Sequence, residues 1–336
     1  LLCWIGTRKL GIDGLHVYMD DFYGWDFADK LVFFHHRLRP ARQVQLLILW
    51  DFISCPYEDK KQDHDELLKI IGFWVDANGG SISLSPDSIE EIISHVNTFL
   101  ATSDRKPRLR IWQQLSGHLN WLLNVIPWAR PALCEMYRKM SGKSHSHSPI
   151  YINAAVVEDL TWISQVIPDA IGVRFVDSLH WHDHEADMII WTDASLKLAL
   201  GFAFSNRGFV YQLKPPVVKP GNPPPDIFFL ELIAILSAIH YAANLIHPPK
   251  RILIHTDSLD SVAVLSSLAA KTELHNAPLR AISQIILLTG IDLRVQHIEG
   301  KLNIHADLLS RMLLSEYKRL FPSDRVDMFE PPRELL

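Results

Sequence analysis

Apolar positions recur with the period of an α-helix in four segments of the first half of the chain. The predicted helices cover residues 41–53, 86–100, 111–125 and 151–167. Shorter apolar runs predict two sets of strands. One is a hairpin over 13–25 that bends at Tyr18-Met19-Asp20-Asp21. The other is a strand over 70–75, which Asn78-Gly79-Gly80 turns back on itself.

From residue 187 onward, apolar strands alternate with helices. Strands are predicted at 188–193, 200–204, 209–213, 251–257 and 293–297, and helices at 228–243, 259–268, 277–289 and 305–312. This order predicts an α/β sandwich with a mixed sheet. The Pro-rich segment 214–226 is predicted to be a loop. The Pro- and charge-rich chain after Leu320 is predicted to be poorly ordered.

Four acidic residues occupy unusual places in this second pattern. Asp193 and Asp257 each close an apolar strand, and strand ends of an α/β sheet share one rim. Glu231 interrupts an apolar helix, where a carboxylate is costly unless it is exposed or has a partner. Asp307 lies near the start of the last predicted helix. Taken singly, each aspartate also fits a helix cap or a turn, but the set of four together predicts a metal site.

Carboxylates that meet at one rim repel each other and raise one another's pKa values, and divalent cations relieve that repulsion. Mg²⁺ takes oxygen ligands and retains waters, so it suits carboxylates that face a substrate phosphate. Two such ions roughly 4 Å apart can activate a water and stabilise the leaving oxygen of a phosphodiester. We therefore predict a two-ion Mg²⁺ site, with Mn²⁺ as the alternative ion.

Composition narrows the class of protein. The chain has 336 residues, of which 48% are hydrophobic, so it can form about two domain cores. Its net charge of -5 is unlike most nucleic-acid enzymes, although local charge decides phosphate binding. Three widely spaced cysteines exclude a disulfide framework and predict a reducing, intracellular compartment, either cytoplasm or nucleus. No apolar run is long enough to span a bilayer, so no membrane partner is expected.

A basic segment lies between residues 103 and 143. Arg105, Lys106, Arg108 and Arg110 precede a predicted helix that carries Trp121. Basic residues mixed with aromatics can grip a nucleic-acid backbone, and the same pattern fits a core helix pair with a solvated basic face. Charge patterning leaves both readings open. The histidines at 145, 147, 180, 182 and 184 fit surface loops better than a metal site.

Several blocks resemble the ribonuclease H domain of retrotransposons. They are Trp191-Thr192-Asp193-Ala194-Ser195, the Glu231 helix, His255-Thr256-Asp257-Ser258 and the block His297 to Arg311, HIEGKLNIHADLLSR. The resemblance implies that four acids hold two metal ions and cut the RNA strand of an RNA–DNA hybrid. His297, ten residues before Asp307, matches a histidine that assists proton transfer or product release in that family.

The upstream half resembles reverse transcriptases. Tyr18-Met19-Asp20-Asp21 is similar to their catalytic turn, and 68–84 to the palm hairpin that follows it. Leu115 to Trp121 and Arg130 to Leu133 are similar to the thumb and connection of DIRS-like elements of the type frequent in fungi. The resemblance implies a partial palm over 1–85, a helical thumb and connection over 86–170, a ribonuclease H-like mixed-sheet domain over 171–315 and a tail over 316–336.

The family's third polymerase carboxylate lies upstream of the catalytic turn, so Asp20 and Asp21 lack that partner here and no autonomous DNA synthesis is expected. A catalytically inactive, nucleic-acid-binding remnant of a transposable element is the alternative to a nuclease. An integrase-type nuclease orders its acids Asp-Asp-Glu, whereas Glu231 here falls between Asp193 and Asp257. The sequence predicts RNA–DNA hybrid or another nucleic acid as the partner and does not predict an oligomeric state.

Overall fold

The computed structural model describes residues 1–174, 181–214 and 224–335. The chain forms two compact units, Leu1–Ser85 and Pro86–Leu336. Most of the loop predicted at 214–226 lies outside the described residues, as does His180. Among the helices of the described residues, none is both long and apolar enough to cross a bilayer.

The first unit combines two helices with short antiparallel strand pairs. Its elements are α1 Leu2–Arg8, β1 His16–Tyr18, β2 Asp21–Tyr23, β3 Leu31–Phe34, β4 Arg37–Pro40, α2 Ala41–Phe52, β5 Leu67–Ile70, β6 Phe73–Asp76 and β7 Ser81–Leu84, with a 3₁₀ turn at Asp59–Lys61. The apolar face of α2 forms the core, where Leu47 and Trp50 pack against Ile12 and Leu15. This packing gives α2 the burial that its dense apolar pattern predicts.

The prediction of one strand over 70–75 is wrong. The chain forms a hairpin there, in which Ile70 pairs with Phe73 and β5 runs antiparallel to β6. Ile71 and Gly72 make the turn with φ values of 50° and 84°. Two consecutive positive φ values match the twist of a two-residue hairpin turn. The turn was hidden because Ile71 is apolar, and only Gly72 marks the break.

The second unit contains a helical segment followed by the main sheet. Its helices are α3 Pro86–Leu100, α4 Leu109–Leu122, α5 Cys134–Met140, α6 Ala154–Val166, α7 Ile227–Ala243, α8 Leu259–Ser267, α9 Glu273–Thr289, α10 Ile304–Ser310 and α11 Leu314–Leu320. Its strands are β8 Val173–Arg174, β9 Met188–Ala194, β10 Ala199–Phe204, β11 Arg207–Gln212, β12 Arg251–Thr256, β13 Asp292–His297 and β14 Arg325–Met328. Short 3₁₀ turns lie at Pro127–Leu133, Ile167–Asp169, Asp183–Glu185, Gly300–Leu302 and Arg333–Leu335.

The main sheet is mixed, with the strand order β13-β12-β9-β10-β11-β14. Strands β9, β10 and β11 form an antiparallel meander. Strand β12 runs parallel to β9, and β13 runs parallel to β12. The α/β class with a mixed sheet is confirmed, and the parallel alignment of β9 with β12 brings the ends that carry Asp193 and Asp257 to one rim.

The chain after Leu320 is more ordered than predicted. Strand β14 pairs in parallel with β11, from Arg207 opposite Arg325 to Val210 opposite Met328. Asp327 anchors it, since its carboxylate accepts hydrogen bonds from Arg207 at 2.7 Å and Arg325 at 2.7 Å. Asp327 is therefore paired with Arg207 of the neighbouring strand and with Arg325 of its own strand.

Helices cover both faces of the sheet. Helix α7 lies in the largest core cluster with residues of α9, and it is apolar on every side because nearly every side is buried. On the opposite face, Leu308 and Leu309 of α10 pack with Tyr317 of α11 against β10 and β11. The site's carboxylates come from the sheet and from both of these helical layers.

The helical segment is joined to the sheet layer by a buried polar network. Arg280 of α9 donates to the Asp159 carboxylate of α6 at 2.6 Å and also pairs with Glu158. Asn276 donates to Asp159 at 3.0 Å and lies 3.2 Å from the Pro131 carbonyl oxygen. These contacts place both sides of residue 170 in one unit, and the module boundaries at 170 and 315 stay predictions.

Close packing of α10 on the sheet depends on a glycine. A Cβ at Gly201 of β10 would lie 2.7 Å from Leu309 Cβ and 2.9 Å from the Ser310 nitrogen. Gly201 also pairs directly with Asp193 across the strands. Only a residue without a side chain lets α10 approach β10 this closely beside the Asp193 carboxylate.

We expect Gly201→Ala to lower the free energy of unfolding by about 1–3 kcal/mol, because the added methyl would push α10 off the sheet. Gly117→Ala is the matched control. Gly117 lies exposed in α4 with open space around its Cβ position, so alanine there should raise stability by up to about 1 kcal/mol. Urea denaturation of both variants checks the pair, and equal effects would contradict the packing argument.

Candidate metal site

Asp193 lies near the end of β9 and is buried. Its Oδ2 accepts a short hydrogen bond from the Ser310 hydroxyl of α10. Burial, with smaller contributions from Asp257 and Asp307, raises the pKa of Asp193 to about 7, although the Ser310 hydrogen bond opposes the shift. The protein therefore holds this carboxylate where its negative charge is unfavourable without a cation.

Glu231 reaches the same place from α7. Its Oε1 accepts a hydrogen bond of 3.2 Å from the Ala194 backbone N–H, and its Oε2 is buried without a hydrogen-bond partner among the described residues. Burial, followed by the charges of Asp193 and Asp257, raises the pKa of Glu231 to about 9. The sequence predicted that this buried acid must have a partner. Among the described residues, only Oε1 has one.

Asp257 follows directly after β12 and is half-buried. Gly300 approaches it closely, because a Cβ at that glycine would lie 3.0 Å from Asp257 Oδ2. A side chain at 300 would therefore press on the carboxylate. This contact explains the glycine in the block that follows His297.

Ligand atoms of Asp193, Glu231 and Asp257 all lie within 4.8 Å of one another. Among the described residues they form the only group of three or more acids, histidines or cysteines that could hold an ion in this way. Carboxylate oxygens are the ligands that Mg²⁺ and similar hard cations prefer. The partnerless Glu231 Oε2 also needs a positive group, since buried polar atoms are rarely left unsatisfied. The three residues thus fit a divalent cation.

Asp307, the fourth predicted ligand, is near this group but not in it. Its charge contributes to the raised pKa of Asp193. Its Oδ1 accepts a hydrogen bond of 2.6 Å from Arg311 Nε, one turn further along the chain. The structure therefore brings three of the four predicted carboxylates within ligand distance of each other and pairs the fourth with an arginine.

Two supporting residues were not assigned a role from the sequence. Ser310 bonds Asp193 and also lies 3.0 Å from the Asp307 carbonyl oxygen. Asn303 is fully buried and donates to the Thr192 carbonyl oxygen at 2.9 Å, which ties the start of α10 to β9. Both lie within the block from His297 to Arg311. The sequence feature that could have indicated them is a polar residue at each end of the short helix α10.

His297 ends β13 and is exposed. It pairs with Thr256 across the parallel strands, so its backbone lies beside the residue that precedes Asp257. His297 therefore ends its strand at the rim that carries the carboxylates. Its role remains a proposal.

Asp20 and Asp21 lie in the first unit, at the turn between β1 and β2, where Tyr18 pairs with Asp21. Met19 at this turn has a φ of 53°, and both aspartates are exposed. Neither belongs to a group of metal-ligating residues within the described part of the chain. The turn has the predicted form, but the described residues of the structure supply no further acid for it.

The four basic residues predicted to bind nucleic acid are all exposed, just before and at the start of α4. Arg105 stacks over the Tyr151 ring at 5.6 Å. Trp121 is partly buried, and the neighbouring Trp112 is fully buried against Phe99. This surface combines features of both readings, a core helix and a free basic face, and it lies on the helical segment rather than on the sheet.

No protein-family model and no curated protein sequence matches the chain. Many solved structures are similar to it, and two of them are described here. One is a foamy viral protease–reverse transcriptase in complex with RNA/DNA hybrid, with a TM-score of 0.38 and 15% identity over 88% of this chain and 37% of that one. The other is RNase H1 from the halophilic archaeon Halobacterium salinarum NRC-1, with a TM-score of 0.29 and 17% identity over 38% of this chain and 98% of that one.

This chain thus spans little more than a third of the viral protein's length. Because both scores are low, the fold is defined by its own strand order and the site by its own carboxylates. Neither similarity bears on a DIRS-like or fungal origin.

We expect Glu231→Gln to be more stable than the wild type at about pH 8 in EDTA, by up to about 5 kcal/mol, since one pKa unit corresponds to about 1.4 kcal/mol. The folded pKa of about 9 lies above the unfolded value, so the unfolded state loses its proton first and the wild type loses stability as pH rises. Glutamine mimics the protonated acid and removes this loss.

Urea denaturation at about pH 5 and pH 8 measures the effect, which should shrink at the lower pH. Glu91→Gln, at an exposed position of α3, is the control and should show no such trend. A Glu231→Gln effect that is the same at both pH values would contradict the raised pKa.

Proposed function

We propose that this protein hydrolyses the RNA strand of RNA–DNA hybrids by a two-metal mechanism. One observation carries the proposal: a strand-end aspartate, a buried helix glutamate and a second strand-end aspartate converge within 4.8 Å at one rim of a mixed sheet. The structure described here supports a site for hard cations. The choice of hybrid as substrate follows the resemblance of the motifs to retrotransposon ribonuclease H.

The protein prepares each ligand differently. Ser310 holds one oxygen of Asp193, and the Ala194 N–H holds one oxygen of Glu231, which leaves Glu231 Oε2 and the other oxygen of Asp193 for an ion. When bound, Mg²⁺ would supply an activated water and charge stabilisation at the leaving oxygen. Because both acids have raised pKa values, a cation must displace their protons, so loading should strengthen as pH rises.

Asp307 is proposed as a ligand that becomes available when its pair with Arg311 opens. Both side chains are partly or largely exposed, so water can replace the ion pair at small cost. Arg311 would then be free to meet a phosphate. The exchange of partners at Asp307 would link substrate binding to completion of the ligand set.

His297 is proposed to move a proton during hydrolysis or product release. His297 is exposed, and its imidazole offers two ring nitrogens that can accept and donate a proton. The basic residues before α4 are proposed to hold the flanking duplex through phosphate contacts.

The first unit is proposed to be a partial palm that binds nucleic acid without polymerising, because Asp20 and Asp21 have no further acid beside them among the described residues.

We expect Asp193→Asn to abolish Mg²⁺-dependent cleavage of a labelled RNA–DNA hybrid. The loss should be at least about 100-fold, beyond the 10- to 100-fold typical for an outer-shell partner of a metal. Asp260→Asn is the control, because Asp260 is exposed in the first turn of α8 and should not affect cleavage. If the folded wild type cuts nothing in Mg²⁺ or Mn²⁺, the chain is the inactive nucleic-acid-binding form instead.

Replacing His297 with alanine should reduce kcat by about 100-fold, the lower end of what general acid–base groups contribute, with little change in KM. His247→Ala, at an exposed position beyond α7, should retain both values. Unchanged kcat in His297→Ala would assign His297 to the surface alone.

A further inference from the structure

A cleft of about 550 Å³ lies beside β13, the edge strand of the main sheet nearest the carboxylates. Six residues line it: Trp181, His182, Asp183, His184, Arg294 and Gln296. Four of these come from the segment that begins at 181, and the other two from β13. The proposed nuclease chemistry uses none of the six.

The cleft has a rigid cationic floor. The Arg294 guanidinium stacks on the Trp181 ring at 3.8 Å and also bonds the Trp181 carbonyl oxygen. Trp181 is itself buried, and its indole N–H donates to Asp292 at 2.7 Å. An arginine held by its own aromatic platform loses little freedom when it meets a planar or anionic ligand.

The rim of the cleft is aromatic and exposed. The rings of His182 and His184 stack with centroids 5.5 Å apart and planes within 9°. Both histidines are exposed. The two neighbouring acids are engaged within the protein, since Asp183 accepts from Gln296 at 2.9 Å and Glu185 accepts from the His182 backbone N–H at 2.6 Å.

The cleft shares a sheet face with the candidate metal site. Gln296 pairs with His255, and His255 pairs with Trp191, so the three form one row across the sheet. Asp193 lies two residues after Trp191 and therefore points to the same face. Strand β13 is two strands from β9, about 10 Å away at a spacing of about 4.8 Å.

Aromatic and imidazole rings lie on the sheet face between the cleft and the candidate metal site. Trp191 lies 5.8 Å from the His255 ring and 5.7 Å from the His305 ring. The His255 Nδ1 atom is buried and has no hydrogen-bond partner among the described residues. The rings of Trp191, His255 and His305 thus extend from the cleft toward the carboxylates. Helices α7 and α9 pack on the other face of the sheet and do not cover these rings.

We propose that this cleft binds an unpaired nucleotide of a single-stranded extension that leaves the hybrid near the metal site, with its base on the histidine rings and a phosphate at Arg294. The inference rests on the proposed function for the place of cleavage. Ring stacking tolerates any base, and an arginine beside it meets the backbone, which is the combination that single-stranded nucleic acids favour.

Binding without cleavage tests the proposal. The full chain is titrated in EDTA against a fluorescein-labelled RNA–DNA hybrid with single-stranded extensions, and against each strand alone, by fluorescence anisotropy. His184→Glu should weaken binding at least about fivefold, through lost stacking and repulsion of phosphate. His184→Ala, which adds no charge, should weaken it less. Loss with one strand alone would identify whether RNA or DNA occupies the cleft.

The control is His247→Glu, an exposed loop histidine between α7 and β12, which should bind within twofold of the wild type. Circular dichroism verifies folding of each variant. Equal affinity of His184→Glu and wild type overturns the cleft while cleavage by the wild type in Mg²⁺ still supports the nuclease. A weakened His184→Glu variant beside a wild type that cuts nothing supports the cleft and overturns the nuclease.

Discussion

The second unit is organised around three acidic residues that cannot move apart, although burial and their mutual repulsion both disfavour their charge. Asp193 is fixed by its strand, Glu231 by a helix buried on nearly every side, and Asp257 by the end of the neighbouring parallel strand. The packing of α7 on one sheet face and α10 on the other supplies the force that keeps them together. Burial raises the pKa values of Asp193 and Glu231, so protons or cations must offset the negative charge at this site.

The positions of the acids in the sequence contained most of the information about the site. An acid that closes an apolar strand, found twice, predicts a shared rim, and an acid within an apolar helix predicts a partner for it. The pairing of Asp307 with Arg311 could not be read in the same way. Whether an exposed acid turns toward an arginine one turn away or toward its neighbours depends on energies of less than about 1 kcal/mol.

The fold, like the site, was predicted from the sequence only in part. Long periodic segments such as α2, α3 and α7 appear near their predicted bounds, because burial of one face decides them. The hairpin at Ile71-Gly72 and strand β14 were missed, because each depends on a local signal that a neighbour obscures. An apolar residue masks the first, and the partners of the charges in the second are distant in sequence. Nucleic-acid binding by the basic residues before α4 stays a prediction for a related reason. Exposed arginines have the same sequence pattern whether or not they meet a ligand.

The polar network between α6 and α9 has a consequence for how this chain can be divided. Asp159 and Asn276 are buried together with Arg280, and the charged partners lie on opposite sides of residue 170. Separating them would leave a buried arginine without its carboxylate, at a cost of about 3–5 kcal/mol, comparable to much of a domain's stability. The sheet layer is therefore not a domain that can be separated from the helical segment. In evolution it would be exchanged together with its helical neighbour, and recombination at that boundary would be selected against.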